Sequence, residues 1–223
     1  MAYLLHIETS SKVCSIAISK NDVLIELIED PKENSHAAKL TSLIDTIVNK
    51  AKITYKDISA ISFSSGPGSY TGLRIGLSTA KGLCYVLNIP IIFVNTLDAM
   101  LDEMIHQYPM KEAIYMPMID ARRMEVYTLQ ADVEKNIILP TQALILTESM
   151  FDEIGEERKI LIAGDAKKKV QFLIKLKNNI IYLDIENSSS RFLIRKAYEK
   201  YRNKDFEEVA YCEPFYLKNP NHK

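Results

Sequence analysis

Ser64-Ser65-Gly66-Pro67-Gly68-Ser69-Tyr70-Thr71-Gly72-Leu73-Arg74-Ile75-Gly76 opens a stretch, residues 64–87, that holds five of the chain's seven glycines. Glycine loses the most conformational freedom on folding and stands where backbone turns sharply or another surface comes close. The cluster therefore marks a place where something binds or something packs. A phosphate cradle between strand and helix is the first possibility, because free amides and the helix dipole favour an anion there. The spacing rules out the known forms. No G-x-x-x-x-G-K-[ST] is present, and G-x-G-x-x-G would need glycine where Thr71 stands. Pro67 removes one amide, and G-x-S-x-G is not spelled around Ser69. The helix that follows gives a better account. Gly72, Gly76, Ala80 and Cys84 recur every four residues and so lie on one face as a strip of small side chains. Leu73, Leu77 and Leu83 supply bulk, while Arg74, Ser78, Lys81 and Tyr85 form a polar flank. Such a strip serves close packing inside one domain or against a helix of another subunit, and both readings stand.

Working outward, residues 58–64 are β-rich and run straight into the cluster. Upstream, 3–8, 13–19 and 23–29 form a three-stranded meander broken at Thr9-Ser10-Ser11-Lys12 and Lys20-Asn21-Asp22. Ser35 is placed to cap a helix whose stripe is Leu40, Leu43, Ile44, Ile47, Val48 and Ala51. Asn88 and Pro90 stop the long helix ahead of a strand at 91–94, so the first hundred residues read βββαβαβ. Thr96 starts a further helix through about Met104. The pattern then partly repeats: strands near 114–120, 125–131 and 138–146, a short helix from Glu148, a strand at 159–163, a helix from Asp165, a strand at 180–184 and a helix over 190–202. The expectation is an α/β protein of two lobes, 1–106 and 107–205, with a tail, 206–223, packing back on the first lobe.

Composition excludes several function classes. With 223 residues, 47% hydrophobic, 26% charged and a net charge of -1, the chain buries a sizeable core and carries no global field toward nucleic acid or membrane. Charge is uneven, however: residues 157–204 hold thirteen Lys/Arg against five Asp/Glu, including Lys167-Lys168-Lys169. Solvated helix faces and a nucleic-acid patch are the two readings of that excess. Three scattered cysteines, Cys14, Cys84 and Cys212, suggest neither a disulfide framework nor a zinc site. No apolar run reaches membrane-spanning length, and the start lacks a signal-peptide pattern, so a reducing cytoplasm is expected.

The residues carry a resemblance. Residues 65–76 resemble the signature of the TsaB (YeaZ) family, the bacterial partner proteins in synthesis of threonylcarbamoyladenosine (t6A) at position thirty-seven of tRNA. Residues 5–10 are similar to the family's I-D-T-S start, Asp120-Ala121-Arg122-Arg123-Met124-Glu125-Val126-Tyr127 to its D-A-R-x-x-E-V-Y segment, and Pro214-Phe215-Tyr216-Leu217-Lys218 to its terminal P-x-Y-L-R. Glu8 stands where the family usually has Asp, and Lys218 where it has Arg. The resemblance implies the actin, hexokinase and heat-shock ATPase fold, two lobes each with a mixed five-stranded sheet and helices. It implies a non-catalytic subunit supporting the transferase TsaD together with the ATPase TsaE, a homodimer when alone, with tRNA bound indirectly or weakly, and no cofactor or metal. It also places a helix-to-helix interface at Gly72, Arg74, Ile75, Gly76, Ala80, Lys81 and Cys84, with His36 and Leu40 on the preceding helix.

Active members of that fold hold ATP phosphates on glycine-bearing hairpin turns and clamp adenosine with glycines of the second lobe. Here the turns are Glu8-Thr9-Ser10-Ser11 and Asp120-Ala121-Arg122-Arg123, both without glycine, and the second lobe keeps only Gly155 and Gly164. Glu8, Thr9, Ser10, Asp120, Arg122 and Gly164 are therefore expected to be remnants of a nucleotide site. An ATP-dependent kinase or ATPase is the alternative function. The His-x-x-x-His metal pair of TsaD is broken, since Leu40 follows His36 at that spacing, and one imidazole does not build a catalytic metal centre. No H-E-x-x-H or nucleophile-base pair supports a protease either.

Overall fold

The computed structural model describes residues 1–31, 36–154, 157–174 and 177–218. In chain order the elements are β1 (Tyr3–Glu8), β2 (Cys14–Lys20), β3 (Val23–Asp30), α1 (His36–Lys50), a 3-10 turn at Tyr55–Asp57, β4 (Ile58–Ser64), α2 (Tyr70–Leu87), β5 (Ile91–Val94) and α3 (Thr96–Gln107). They continue with β6 (Ile114–Asp120), β7 (Glu125–Ala131), β8 (Ile137–Ile145), a 3-10 turn at Asp152–Ile154, β9 (Ile160–Ala163), α4 (Lys167–Leu173), β10 (Ile180–Tyr182), a 3-10 turn at Ser190–Leu193 and α5 (Ile194–Asn203). The expected cap Ser35 lies outside the described residues.

Two five-stranded mixed sheets result, ordered β3-β2-β1-β4-β5 and β10-β9-β6-β7-β8. In each, three strands form an antiparallel meander and two more extend the first strand in parallel. The same topology is thus built twice, as the two-lobed α/β reading expects.

The chain divides into one unit of Met1–Thr96 with Ser188–Tyr216 and another of Leu97–Asn187 with Leu217–Lys223. This differs from the division at 106/107 and 205/206. α3 goes with the second unit. The segment 188–205 goes with the first, because Ser190 bonds Ser15 of β2 through both its hydroxyl, at 2.8 Å, and its N–H, at 2.9 Å.

Within the first unit, α1 and α2 cover one face of the sheet. The α1 stripe Leu40, Ile44, Ile47 and Val48 meets Ile7, Ile16, Ile18, Ile61 and Phe63 in one cluster. Alternation sends the neighbouring residues to the opposite face. There His6 bonds Ser62 at 2.7 Å and Ser19 at 2.8 Å, and Ser15 meets Ser190. Those polar side chains explain why β2 lacks a clean apolar alternation while remaining buried along six of its seven residues.

Candidate functional site

α2 begins at Ser69, whose hydroxyl accepts a hydrogen bond from the Gly72 N–H, and ends at Asn88 in the left-handed conformation, φ 54°. The loop ahead of it is folded down on the turn between β1 and β2. The Ser69 N–H donates to Ser10 O at 2.6 Å, and a Cβ on Gly68 would stand 2.5 Å from that same oxygen. Gly66 adopts φ +106°, and its Cβ would meet Phe215 O at 2.8 Å. Both loop glycines therefore answer to close backbone approach within this unit, one to the hairpin turn and one to the C-terminal segment.

The first turn is covered by its own surroundings, although the buried Ser10 hydroxyl has no hydrogen-bond partner among the described residues. Glu8, Thr9 and Ser10 are buried. The Glu8 carboxylate accepts from the Ser10 N–H, and the Thr9 hydroxyl donates to Gly72 O at 2.8 Å. A phosphate has no approach to the Thr9 hydroxyl, which α2 covers. The second turn is likewise occupied. Arg122 and Arg123 hold φ +67° and +49° without glycine. Asp120 accepts from the Arg122 N–H at 2.7 Å and from Lys169 at 2.6 Å, while its own N–H donates to Asp165 at 2.7 Å. Lys169 also reaches Glu125 O at 3.2 Å, and Lys218 pairs with the Glu125 carboxylate. Gly164, at φ +109°, packs where a Cβ would come 2.0 Å from Met118 O. Asp120 and Arg122 are brought together, then, but an internal ammonium faces Asp120, and Gly164 serves backbone packing. Lys169 was invisible as a turn partner in the sequence because its run of three lysines reads as surface.

The small strip points inward. Gly72, Gly76, Ala80 and Cys84 are buried, and a Cβ on Gly76 would stand 2.2 Å from Thr9 Oγ1 and 2.8 Å from the Phe63 ring. Leu40 is core as well. The small side chains let α2 lie close on its own sheet, and an interface at these five positions would have to reach residues already buried. Of the remaining residues, Arg74 is exposed and Ile75 and Lys81 are half-buried. The side chain of His36 lies outside the described residues.

α2 presents a different surface outward. Arg74 lies 4.2 Å from the centroid of the Tyr70 ring and its Nε–H donates to Tyr216 Oη at 3.4 Å. Ser78 and Gly82, four residues apart, are exposed, and nothing lies within 4 Å of a Cβ built on Gly82. Tyr85 is 84% and Val86 79% exposed just beyond. Sequence reading missed Gly82 as an outward position, although its offset from the four-residue strip was the available signal. Among the described residues, no group of three His, Cys, Asp or Glu could hold a metal, and no helix is long and apolar enough to cross a membrane.

The family model described as "TsaD: tRNA N6-adenosine threonylcarbamoyltransferase" matches residues 30–212. A curated relative, the tRNA threonylcarbamoyladenosine biosynthesis protein TsaB of Buchnera aphidicola subsp. Acyrthosiphon pisum, is 30% identical over 209 residues, 91% of this chain and 92% of the relative. The chain belongs to the TsaB (YeaZ) family. The Bacillus subtilis tRNA N6-adenosine threonylcarbamoyltransferase is 35% identical, but only over 42% of this chain and 32% of the transferase. A Pseudomonas aeruginosa crystal structure, described as similar to the peptidase YEAZ, is 23% identical with a TM-score of 0.81 over 98% of this chain and 100% of that one, and shares the fold. Membership of the TsaB family places the chain in threonylcarbamoyladenosine biosynthesis.

Proposed function

We propose that the chain is a non-catalytic subunit of t6A synthesis that binds and supports TsaD, in an assembly with TsaE, through the outward face of α2. The same face mediates self-association when the chain is alone. Both hairpin turns being filled by the chain's own groups supports a role without nucleotide chemistry. The observation that carries the docking reading is Gly82. A glycine in mid-helix lowers stability by about 1 kcal/mol relative to alanine, and here no internal packing requires it. An incoming helix backbone does require such a gap. Tyr85 and Val86 beside it supply apolar area, and Tyr70 and Tyr216 hold Arg74 in place at the other end. The buried free thiols suit a cytoplasmic location.

Gly82→Arg adds bulk only on the outside. The variant is expected to fold and to melt no lower than the parent, to lose association with TsaD in calorimetry on the purified pair, and to lose t6A formation in the reconstituted system. Gly82→Arg binding TsaD as tightly as the parent would overturn the placement.

A further inference from the structure

The excess of positive charge over residues 157–204 falls in both units. In the second unit Lys167 donates to Leu183 O at 3.0 Å, Lys169 to Asp120 at 2.6 Å, and Lys177 pairs with Asp152, while Lys168 is exposed. The first unit keeps the other part. Residues 188–204 carry Arg191, Arg195, Lys196, Lys200, Arg202 and Lys204 against a single acid, Glu199. Lys200 pairs with Asp205 at 3.0 Å, and Arg191, Arg195, Arg202 and Lys204 are exposed.

Helix geometry arranges these groups. Ile194 and Ala197 face the core, so Arg195 and Arg202, seven residues apart, share a flank about 10 Å long. Arg191 in the preceding turn and Lys204 at the C-cap extend the line at both ends. The exposed residues of α5 are Arg195, Glu199, Arg202 and Asn203, none of them apolar. A protein interface needs an apolar or aromatic centre, and membrane insertion needs an apolar face. A polyanion needs neither. Three of the four exposed cations are arginines, whose planar fork matches phosphate oxygens two at a time. The surface also lies away from α2: Ser190 meets Ser15 on the face of the first sheet opposite the cluster that α1 and α2 cover.

We infer that the outer face of α5, with Arg191, Arg195, Arg202 and Lys204, binds the phosphodiester backbone of RNA. The inference rests on the chain's place in tRNA modification and adds to it a direct RNA contact on the opposite side of the sheet from the docking helix. Recognition is of backbone charge, so affinity is sensitive to salt and tolerant of sequence.

The test is fluorescence anisotropy of the full chain with a labelled, unmodified tRNA transcript across 50–200 mM KCl. For the parent, the logarithm of affinity is expected to fall linearly with the logarithm of salt. Arg195→Glu with Arg202→Glu should weaken binding at least tenfold at 50 mM and reduce the salt slope by about 1.5 to 2, the loss of two phosphate contacts. Glu199→Lys should tighten it. Lys168→Glu, in the second unit, should change nothing. If the double reversal misfolds by circular dichroism, Arg195→Gln with Arg202→Gln and the Glu199→Lys gain decide instead. Unchanged affinity in the reversed chain, or no binding at 50 mM, overturns the inference. So does poly-glutamate competing as well as the transcript, which would assign the surface to an acidic protein. TsaD association should survive every α5 variant, so failure here is distinct from failure of the Gly82 test.

Discussion

Gly76 and Gly82 stand six residues apart on one helix, and their surroundings demand opposite things of them. A methyl group on Gly76 would drive the Thr9 side chain from its bond to Gly72 O and press on the Phe63 ring. Gly76→Ala is expected to destabilise the chain by about 1–3 kcal/mol, as overpacking does. Gly82→Ala meets nothing and should stabilise by up to about 1 kcal/mol through helix propensity. Urea unfolding of both variants checks the contrast; a loss of stability in Gly82→Ala would mean the site is not open. His6 offers a second test. Burial between the Ser62 and Ser19 hydroxyls pushes its pKa down to about 3, below the unfolded value of 6.5. Between those values the unfolded chain binds one more proton, so this contribution is full above pH 6.5 and diminishes as pH falls toward 3. From pH 6.5 to 5.5 the parent should lose about 1 kcal/mol more stability than His6→Gln. Equal losses would show that His6 is protonated in the fold. This buried triad was not legible in the sequence, because the serines and the histidine come from three strands that only the sheet register brings together.

At the scale of elements, residues 205–216 form a strap. The Glu207 N–H donates to Ile91 O at 3.0 Å, Lys81 donates to Ala210 O at 3.2 Å, and the Phe215 N–H donates to Ser65 O at 2.7 Å. Cys212 and Tyr216 join the core cluster that contains Cys84. Burial pushes the Cys84 thiol up to about 12, so it is inert in the native chain. A chain ending at Lys204 should expose Cys84 to Ellman's reagent well before Cys14, which lies beneath the sheet at 0% exposure. Protection of both thiols to the same degree would show that the strap is not what covers Cys84. The strands and the long helices were legible from period and punctuation, including 58–64 and 114–120 to the residue. The segment from Glu148 was not. Expected as a short helix, its described residues form a 3-10 turn at Asp152–Ile154. The strap was legible as apolar and aromatic composition, but its path along β5 and α2 depends on backbone hydrogen bonds that no side-chain pattern encodes.

For the whole molecule, the alternative reading as an ATPase and the contacts of the two turns lead to opposite expectations. Titration of the chain with Mg-ATP is expected to give no binding heat at millimolar nucleotide, and Asp120→Ala should not change that. Tight binding abolished by Asp120→Ala would restore the ATPase reading. The fold was readable as two βββαβαβ-like halves because each element carries its own period. The orientation of α2 was not, since a small-residue strip has the same spacing whether it meets its own sheet or a foreign helix. What separates the two is whether space remains around each glycine, a property of three dimensions.

The discontinuity of the first unit also bears on how the protein is made. Its sheet is synthesised by Thr96, yet the segment that closes the β5 edge and the flank of α2 is complete only at Tyr216. At ordinary elongation rates those 120 intervening residues take about 6–24 s to emerge. Through that interval the nascent chain carries an unfinished apolar edge, while most of the second unit, residues 97–187, can fold as a continuous insertion. Translation pauses between the codons for Leu97 and Tyr216 would prolong that exposure, and ribosome-associated chaperones would find their binding window there.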